Sequence, residues 1–442
     1  MRILATVLLA ALAASLLGFG PEPTPTPQQE GSFSETRPAI RMISSSHDIQ
    51  FAERIVFCME AEADSSIEEV TFYYRLGGKN VLVFGYPDFE RGQHVAAEFE
   101  VDTGVAGGFL PSGIDIEYHY VIVDAAGRRL ETLPQRLEYL NPRFGWQRLS
   151  LENFVMLWHD RPRAEAAAVA EKVNARLANV KALLGLGPTK RMKAVILNNP
   201  IEAQRSFPRV SQTASDEHLF GGFAFSEYDL FVLMGLDEDG IVHEMTHLLL
   251  DEAMDSRLAK VPAWLNEGLA TYFERIAQRR DREVDDAVRD GDLLPLRAMG
   301  TVPGKPDDVV LFYAQSRDLV RYLIDERGAE GMTAVIRGLS AGTKLEQAVQ
   351  DAYGVSLGDL EDDWRVYIGA EPLPIADGST SPSVLGNEPD EPIPQDVADG
   401  SAQPPARNSR GFGGAGVVAA VVVLAAIASA ATFALRHTRR PR

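Results

Sequence analysis

The chain has 442 residues, of which 45% are hydrophobic and 24% are charged, so it is typical of globular proteins and has room for two or three domains. Its net charge of −20 argues against a nucleic-acid partner, because binding a phosphate backbone requires clustered lysines and arginines. Cys58 is the only cysteine, which excludes an intrachain disulfide and a cluster of thiolate metal ligands.

The first 37 residues predict a signal peptide and a linker. Residues 1–20 begin with one arginine, continue as an apolar run and end in small residues, which is the pattern of a secretory signal. Residues 21–37 are rich in proline and polar side chains, as in an extended spacer. The sequence leaves open whether the signal segment is cleaved or stays as a second anchor.

Residues 38–142 predict an all-β domain. Short runs of alternating hydrophobicity, such as VTFYYRL and IEYHYVIVD, are separated by turn-forming residues. Runs of period two at this spacing indicate a sandwich of about seven strands, similar to an immunoglobulin or fibronectin domain. Because the segment contains no catalytic cluster, its expected role is that of a spacer or a docking module for a surface partner.

The pattern changes in residues 143–370, which predict an α+β domain. FVMLWHD and KAVILNN have the composition of strands, and a long Ala-rich helix lies between them. FGGFAFSEYDLFVLM, at 220–234, is expected to be a hairpin with SEYD at its turn. After this hairpin the chain is predicted to be largely helical to about residue 369.

The C-terminal part predicts a membrane anchor. Residues 371–410 are rich in Pro, Ser, Asp and Gly without periodicity, which indicates a disordered stalk. Residues 411–435 contain no charge and are numerous enough to span a bilayer as a helix. Residues 436–442 follow with four arginines, as on the cytoplasmic side of a membrane. The sequence therefore predicts a single-pass cell-membrane protein, with residues 36–410 outside the cell.

The stretch HEMTH, at 243–247, predicts a zinc site. On a helix, His243 and His247 lie one turn apart on the same face, so both imidazoles can bind one ion. Acidic residues at 237–239 precede them, as expected at a helix N-terminus. Glu244 points away from the ligands but can reach a water on the metal, whose pKa zinc lowers. Glu244 is therefore the expected general base.

A second helix offers a third ligand. A catalytic zinc ion takes three protein ligands and keeps one position open. Pro262 suits the first turn of a helix, and the helix PAWLNEGLATYFE begins there. Its Glu267 lies 20 positions after His247, far enough for the chain to turn back to the same ion. The small residues of EGLA are expected to allow close packing against the first helix.

HEMTH and WLNEGLATYFE together resemble the gluzincin metallopeptidases, in which the glutamate of an N-E-G motif is the third zinc ligand. They are still more similar to the peptidase-MA-like domains of bacterial surface proteins. This resemblance covers about residues 150–370, half of the chain, and includes FYAQSRDLVRYLIDERG (312–328) and LEQAVQDAYGVSLGDLEDDWRVYI (345–368). It implies a zincin-type fold with one zinc ion bound by His243, His247 and Glu267, and Glu244 as general base.

The same resemblance implies three further parts of the site. Glu274, seven residues after the third ligand, matches a carboxylate that orients a ligand histidine. Tyr313 lies where gluzincins often place a tyrosine hydroxyl that stabilises the oxyanion, although aromatic residues in such a helix are more often core residues. Gly221, Gly222, Phe223 and Ala224 match the edge strand that pairs with an extended substrate.

The predicted substrate is a peptide or protein. Exopeptidase-type gluzincins carry an acidic residue near the edge strand that binds the free amine of the substrate, and GGFAF has none. The sequence therefore favours an endopeptidase over an aminopeptidase. Two alternatives stay open: a non-catalytic cell-surface binding module with a retained zinc site, and a zinc hydrolase that cleaves another kind of bond. The sequence does not specify the cleavage preference or the oligomeric state.

Overall fold

The computed structural model describes residues 39–77, 79–104, 109–208, 221–254, 256, 259–275, 282–373 and 420–422. Ile40–Arg442 form one unit, so the two sheets within it can be described together. The predicted signal peptide, linker and cytoplasmic tail, and the stalk beyond residue 373, lie outside the described residues.

Seven strands between Ile40 and Glu138 form the first sheet. The 23-residue strand β2 lies at its centre: the first half pairs with β1 and β4, and the second half pairs with β3 and β5. The strands are β1 (Ile40–Gln50), β2 (Arg54–Leu76), β3 (Val83–Gly85), β4 (Gly92–Asp102), β5 (Asp115–Asp124), β6 (Arg129–Glu131) and β7 (Gln135–Glu138).

The predicted sandwich needs a correction, because all seven strands belong to one hydrogen-bonded sheet. The pairing of β2 shifts in register between Glu62 and Ile67, so one strand changes neighbours along its length. Phe57 on the first half of β2 and Phe72 on the second half lie 4.7 Å apart between ring centroids, inside the same core. Alternating hydrophobicity predicts which side chains face the core but does not determine which strands pair.

The second sheet is mixed and has the order β13-β11-β12-β10-β9-β8. Three of its inner strands, β9, β10 and β12, are parallel, whereas the fourth, β11, runs antiparallel to β12. The predicted hairpin is confirmed: β11 and β12 are joined by a 3₁₀ turn at Ser226–Tyr228. The strands are β8 (Gln147–Ser150), β9 (Phe154–Trp158), β10 (Met192–Leu197), β11 (Gly222–Phe225), β12 (Leu230–Met234) and β13 (Ala420–Val422).

Helices make up most of the described chain after the hairpin, as predicted. The long Ala-rich helix is also present, and it ends at Gly185, whose left-handed backbone (φ 69°) suits glycine. A π-helical turn at Tyr322–Glu326 follows α6. The helices are α1 (Arg163–Leu184), α2 (Pro200–Ser206), α3 (Glu238–Glu252), α4 (Ala263–Tyr272), α5 (Arg282–Asp290), α6 (Pro306–Arg321), α7 (Ala329–Ser340), α8 (Leu345–Tyr353) and α9 (Leu357–Ile368).

The two faces of the mixed sheet pack against different parts of the molecule. Met156, Ala194 and Phe231 point to one face and share a core with the helices. Leu157 and Val195 are among the residues that point to the other face and share a core with the first sheet. Because residues of this face share a core with the first sheet, the two sheets pack together.

Of the predicted membrane-spanning segment 411–435, only Ala420–Val422 are described, and they form a strand. β13 pairs antiparallel with β11, with Val422 opposite Gly222. Valine-rich runs favour strands, and the outer edge of β11 offers backbone groups with which another strand can pair. Within the described part of the chain, no helix is both long enough and apolar enough to span a bilayer. The membrane anchor stays a prediction.

Candidate metal centre

HEMTH lies in the middle of α3, as the helical spacing predicts. The helix begins at a cap, where the carboxylate of Asp237 accepts a hydrogen bond of 2.7 Å from the amide of Gly240. One turn separates His243 and His247, and the centroids of their rings are 4.8 Å apart. Pro262 directly precedes α4, the helix that carries Glu267. The two helices therefore present the three side chains to one another.

The three predicted ligand atoms converge. Glu267 Oε2 lies 3.5 Å from His243 Nε2 and 3.6 Å from His247 Nε2, and all three atoms lie within 4.8 Å of one another. A tetrahedral zinc ion with bonds of about 2.0–2.2 Å separates its ligand atoms by roughly 3.3–3.6 Å. All three atoms are buried and have no hydrogen-bond partner among the described residues. Such orphaned acceptors fit a metal ion, which would satisfy them.

Each ligand histidine is held through its other ring nitrogen. Glu274 Oε1 lies 2.8 Å from Nδ1 of His243, and Asn266 Oδ1 lies 2.9 Å from Nδ1 of His247. A hydrogen bond at Nδ1 fixes the tautomer that leaves Nε2 available for a metal. The sequence analysis missed Asn266, although it stands directly before Glu267 in the N-E-G motif.

The two histidines differ in charge environment. Burial alone would lower the pKa of His243, but its interactions with Glu267 and Glu274 outweigh burial and raise the pKa to about 10. Burial lowers the pKa of His247, whose Nδ1 partner is the neutral amide of Asn266. Glu267 and Glu274 together therefore make His243 the more basic of the two imidazoles.

Glu244 lies beside the triad, on the side of the hairpin. Both of its carboxylate oxygens are buried and lack a hydrogen-bond partner among the described residues. Burial raises the pKa of Glu244 to about 8. A Cβ atom at Gly222 would lie 2.3 Å from Glu244 Oε1, so only glycine leaves room for this carboxylate. The close approach gives a physical reason for glycine at position 222.

The predicted substrate strand is close to the triad. β11 includes Gly222, Phe223 and Ala224, and the carbonyl of Gly221 accepts a hydrogen bond from the amide of Met234. The side chain of Phe223 is fully buried in the core that the mixed sheet shares with the first sheet. The backbone of β11 is left to pair at its outer edge, where the structure has β13.

The small residue after Glu267 packs differently from the prediction. A Cβ atom at Gly268 would lie 2.5 Å from the carbonyl oxygen of Ser316 and 2.5 Å from Val320 Cγ2. Both residues belong to α6, so Gly268 allows close packing of α4 against α6 and not against α3. The sequence predicted the need for a small residue, but the identity of the neighbouring helix depends on the tertiary structure.

Tyr313 lies on α6, the helix that packs against α4. Its side chain is only 5% exposed and belongs to the helix-side core. Its ring centroid is 5.5 Å from that of Phe312. This position is compatible with both roles considered for Tyr313, so its function as an oxyanion donor stays a prediction.

A group of ion pairs joins the start of α3 to the residues around Glu274. Arg176 on α1 lies 3.0 Å from Glu238 and 2.6 Å from Asp239, and it donates to the carbonyl oxygen of Phe273. Arg275 contacts the same two carboxylates at 3.2 and 3.1 Å. Phe273 and Arg275 flank Glu274, which lies just beyond the end of α4. These contacts, which the sequence analysis missed, support the position from which Glu274 reaches His243.

Residues 174–370, a little under half of the chain, match the family model of the Peptidase MA superfamily. No curated protein gave a significant match.

Solved structures give weaker likenesses. An M1 zinc metallopeptidase from Deinococcus radiodurans has 12% identity and a TM-score of 0.31, over 73% of this chain and 91% of that chain. A catalytically inactive form of OgpA from Akkermansia muciniphila, in complex with an O-glycopeptide, has 9% identity and a TM-score of 0.19, over 24% and 30%. A β-1,3-glucan-binding domain of carbohydrate-binding module family 56 has 14% identity and a TM-score of 0.15, over 21% and 95%.

Because TM-scores this low do not establish a shared fold, the family assignment depends on the family model alone. That match covers α3, α4 and α6, and with them the His243, His247 and Glu267 cluster. Residues 174–370 of this chain therefore form a domain of the Peptidase MA superfamily, as the resemblance to peptidase-MA-like domains predicted.

Proposed function

We propose that the chain is a zinc metallopeptidase that hydrolyses peptide bonds. The observation that carries the proposal is the convergence of three buried ligand atoms beside the carboxylate of Glu244, all without a hydrogen-bond partner among the described residues. Structural zinc sites are usually closed by four protein ligands, whereas catalytic sites have three and an open position. The cluster found among the described residues has three, His243, His247 and Glu267.

The side chains of the site have different roles in the proposed reaction. His243, His247 and Glu267 would hold the ion, while Glu274 and Asn266 keep the two imidazoles oriented. Zinc supplies Lewis-acid activation of water and polarisation of the substrate carbonyl. Glu244 accepts the proton of the attacking water at its carboxylate and passes it to the leaving amine.

The outer edge of β11 suits an extended peptide substrate. Its backbone can form main-chain hydrogen bonds with an added strand. The strand GFAF contains no acidic residue that could bind a free N-terminal amine. Glu227, in the turn that follows, is already paired with Lys79 at 2.5 Å. These features favour internal cleavage over aminopeptidase activity.

The proposal also includes the location of the enzyme. The apolar N-terminal segment and the uncharged run at 411–435, followed by four arginines, support a membrane-anchored protein with the peptidase domain outside the cytoplasm. Protease treatment of intact cells should release the ectodomain if this topology is right. Retention of the full-length chain under conditions that cleave an exposed stalk would contradict it.

The activity can be tested on a soluble fragment, residues 36–373, loaded with zinc and incubated with a mixed peptide library. Mass spectrometry of the products should show internal cuts, and a chelator should abolish them until zinc is restored. Glu244→Gln is the matched control, because it should keep the metal and yield no products. A parent fragment that binds zinc but cleaves no peptide would favour the binding module or the cleavage of another kind of bond.

A further inference from the structure

We infer that the first sheet positions the β11–β12 hairpin for substrate binding and that Lys79 is the positioning residue. The inference depends on the proposed function, because it concerns the strand on which the peptide substrate would pair. It assigns the all-β domain a part in the reaction, through contacts at the turn of the hairpin, about 10 Å along β11 from Gly222.

The β2–β3 connection of the first sheet contacts the turn of the hairpin directly. The Nζ atom of Lys79 lies 2.5 Å from Glu227 Oε2 and 4.4 Å from the centroid of the Tyr228 ring. Gly77 is in contact with the same ring, since a Cβ atom there would lie 2.4 Å from Tyr228 Cδ1. Its φ of +54° is a second reason for glycine at this position. The β2–β3 connection thus contacts both Glu227 and Tyr228 in the turn of the hairpin.

The connection is itself held in place. The amide of Gly77 donates a hydrogen bond of 2.8 Å to the carbonyl of Asp115 on β5. The amide of Lys79 donates a hydrogen bond of 2.9 Å to the carbonyl of Leu76. The ammonium group is therefore carried on an anchored turn and not on a free loop. Because β5 and β2 are inner strands of the first sheet, the position of Lys79 is coupled to the body of that domain.

The hairpin needs such support because β11 is short. It has four residues, and its pairing with β12 ends at Phe225 and Leu230, next to the turn. Short strands are weakly held, and local opening starts at their ends. A shift of the turn would move the outer backbone groups of β11, with which the substrate pairs. It would leave the ligands on α3 and α4 in place.

The contact should therefore affect substrate binding more than chemistry. Lys79 and Glu227 are partly exposed, at 34% and 39%, so the loss of their ion pair should not unfold the protein. We expect Lys79→Met to raise KM about tenfold for a peptide that pairs with β11, equivalent to about 1.4 kcal/mol. The kcat and the zinc content should not change.

The experiment compares Lys79→Met, Lys79→Arg and the matched control Arg54→Met in the full chain. Arg54 forms an exposed ion pair with Glu100, at 3.6 Å, within the first sheet. This ion pair does not involve the hairpin turn. Two quantities are measured: the amide hydrogen exchange of residues 222–234, and kcat and KM for a peptide cleaved by the parent. Lys79→Met should accelerate exchange in the hairpin and raise KM, whereas Lys79→Arg should restore both, since it keeps the positive charge.

Unchanged exchange and KM in Lys79→Met would overturn the inference. An equal effect of Arg54→Met, or a loss of kcat together with zinc, would also overturn it, because either result indicates general destabilisation. If the parent cleaves no peptide, the proposed function has failed. The hydrogen exchange of residues 222–234 would still decide in that case whether Lys79 positions the hairpin.

Discussion

The mixed sheet has one face towards the helices and one towards the first sheet, and both faces are buried to the same degree. Met156 on the helix side and Leu157 on the other side are 0% and 1% exposed. The helix side carries α3 and α4 with the candidate metal centre, whereas the other side meets aromatic and aliphatic residues of the all-β domain. Equal burial therefore accompanies two different neighbours, the helices with the candidate metal centre on one face and the all-β domain on the other.

Removal of the first sheet should have the largest effect on the mixed sheet. A fragment of residues 143–373 would expose the face with Leu157, Val195, Phe223 and Val232 to water. We expect it to lose its cooperative folding, and with it a stability of roughly 5–15 kcal/mol that is typical of a domain. Urea unfolding followed by circular dichroism, with residues 36–373 as the control, measures this. A cooperative transition of similar midpoint in the short fragment would mean that the first sheet is dispensable.

Substitutions in the candidate metal centre, on the helix side, should change kcat. Glu244→Gln removes the proton acceptor and should lower kcat by about two to four powers of ten, without loss of zinc. Glu267→Gln should weaken zinc binding first, with activity lost as a consequence. Metal analysis and steady-state kinetics on a proven substrate distinguish the two variants. If Glu244→Gln turned over as fast as the parent, Glu244 would not be the general base.

A matched pair of core substitutions tests whether the two faces are equally important for stability. Leu157→Ala and Met156→Ala each remove a buried side chain from neighbouring positions on β9. We expect each to lower the free energy of unfolding by about 2–5 kcal/mol. The measurement is chemical denaturation of both variants beside the parent. A cost near zero for Leu157→Ala alone would show that the contact with the first sheet is loose.

Tyr313→Phe tests whether chemistry on the helix side extends to α6. As an oxyanion donor, the lost hydroxyl should lower kcat by about a hundredfold with little change in KM. The measurement is steady-state kinetics together with a thermal melt. A variant with full kcat and a lower melting temperature would identify Tyr313 as a core residue.

The smallest effect is expected at the boundary between sheet and helix. Gly222→Ala would place a methyl group 2.3 Å from the position of Glu244 Oε1, so the carboxylate must move. We expect kcat to fall by about tenfold, because a misplaced base transfers its proton less well. Gly187→Ala is a suitable control, since a Cβ there would have no atom within 4 Å. Equal activity of both variants would mean that Glu244 moves aside without consequence.

Much of the site was predictable because its signals are local. The spacing of His243 and His247 needs only the geometry of one helix, and the cap at Asp237 lies at the start of the same helix. The hairpin likewise follows from two apolar runs separated by SEYD. Asn266 and Arg176 were missed because the partner of a polar side chain depends on which segments are neighbours in space.

The sequence by itself predicted the elements and the candidate ligands: the strands of the all-β domain, the β11–β12 hairpin, and two helices that carry His243, His247 and Glu267. Only the tertiary structure decided how these elements meet. It joined seven strands into one sheet through β2, placed Gly222 against Glu244, and packed one face of the mixed sheet against the first sheet. The physical reason is range, since periodicity and capping act between residues a few positions apart. Strand pairing and packing depend on contacts between residues far apart in the chain.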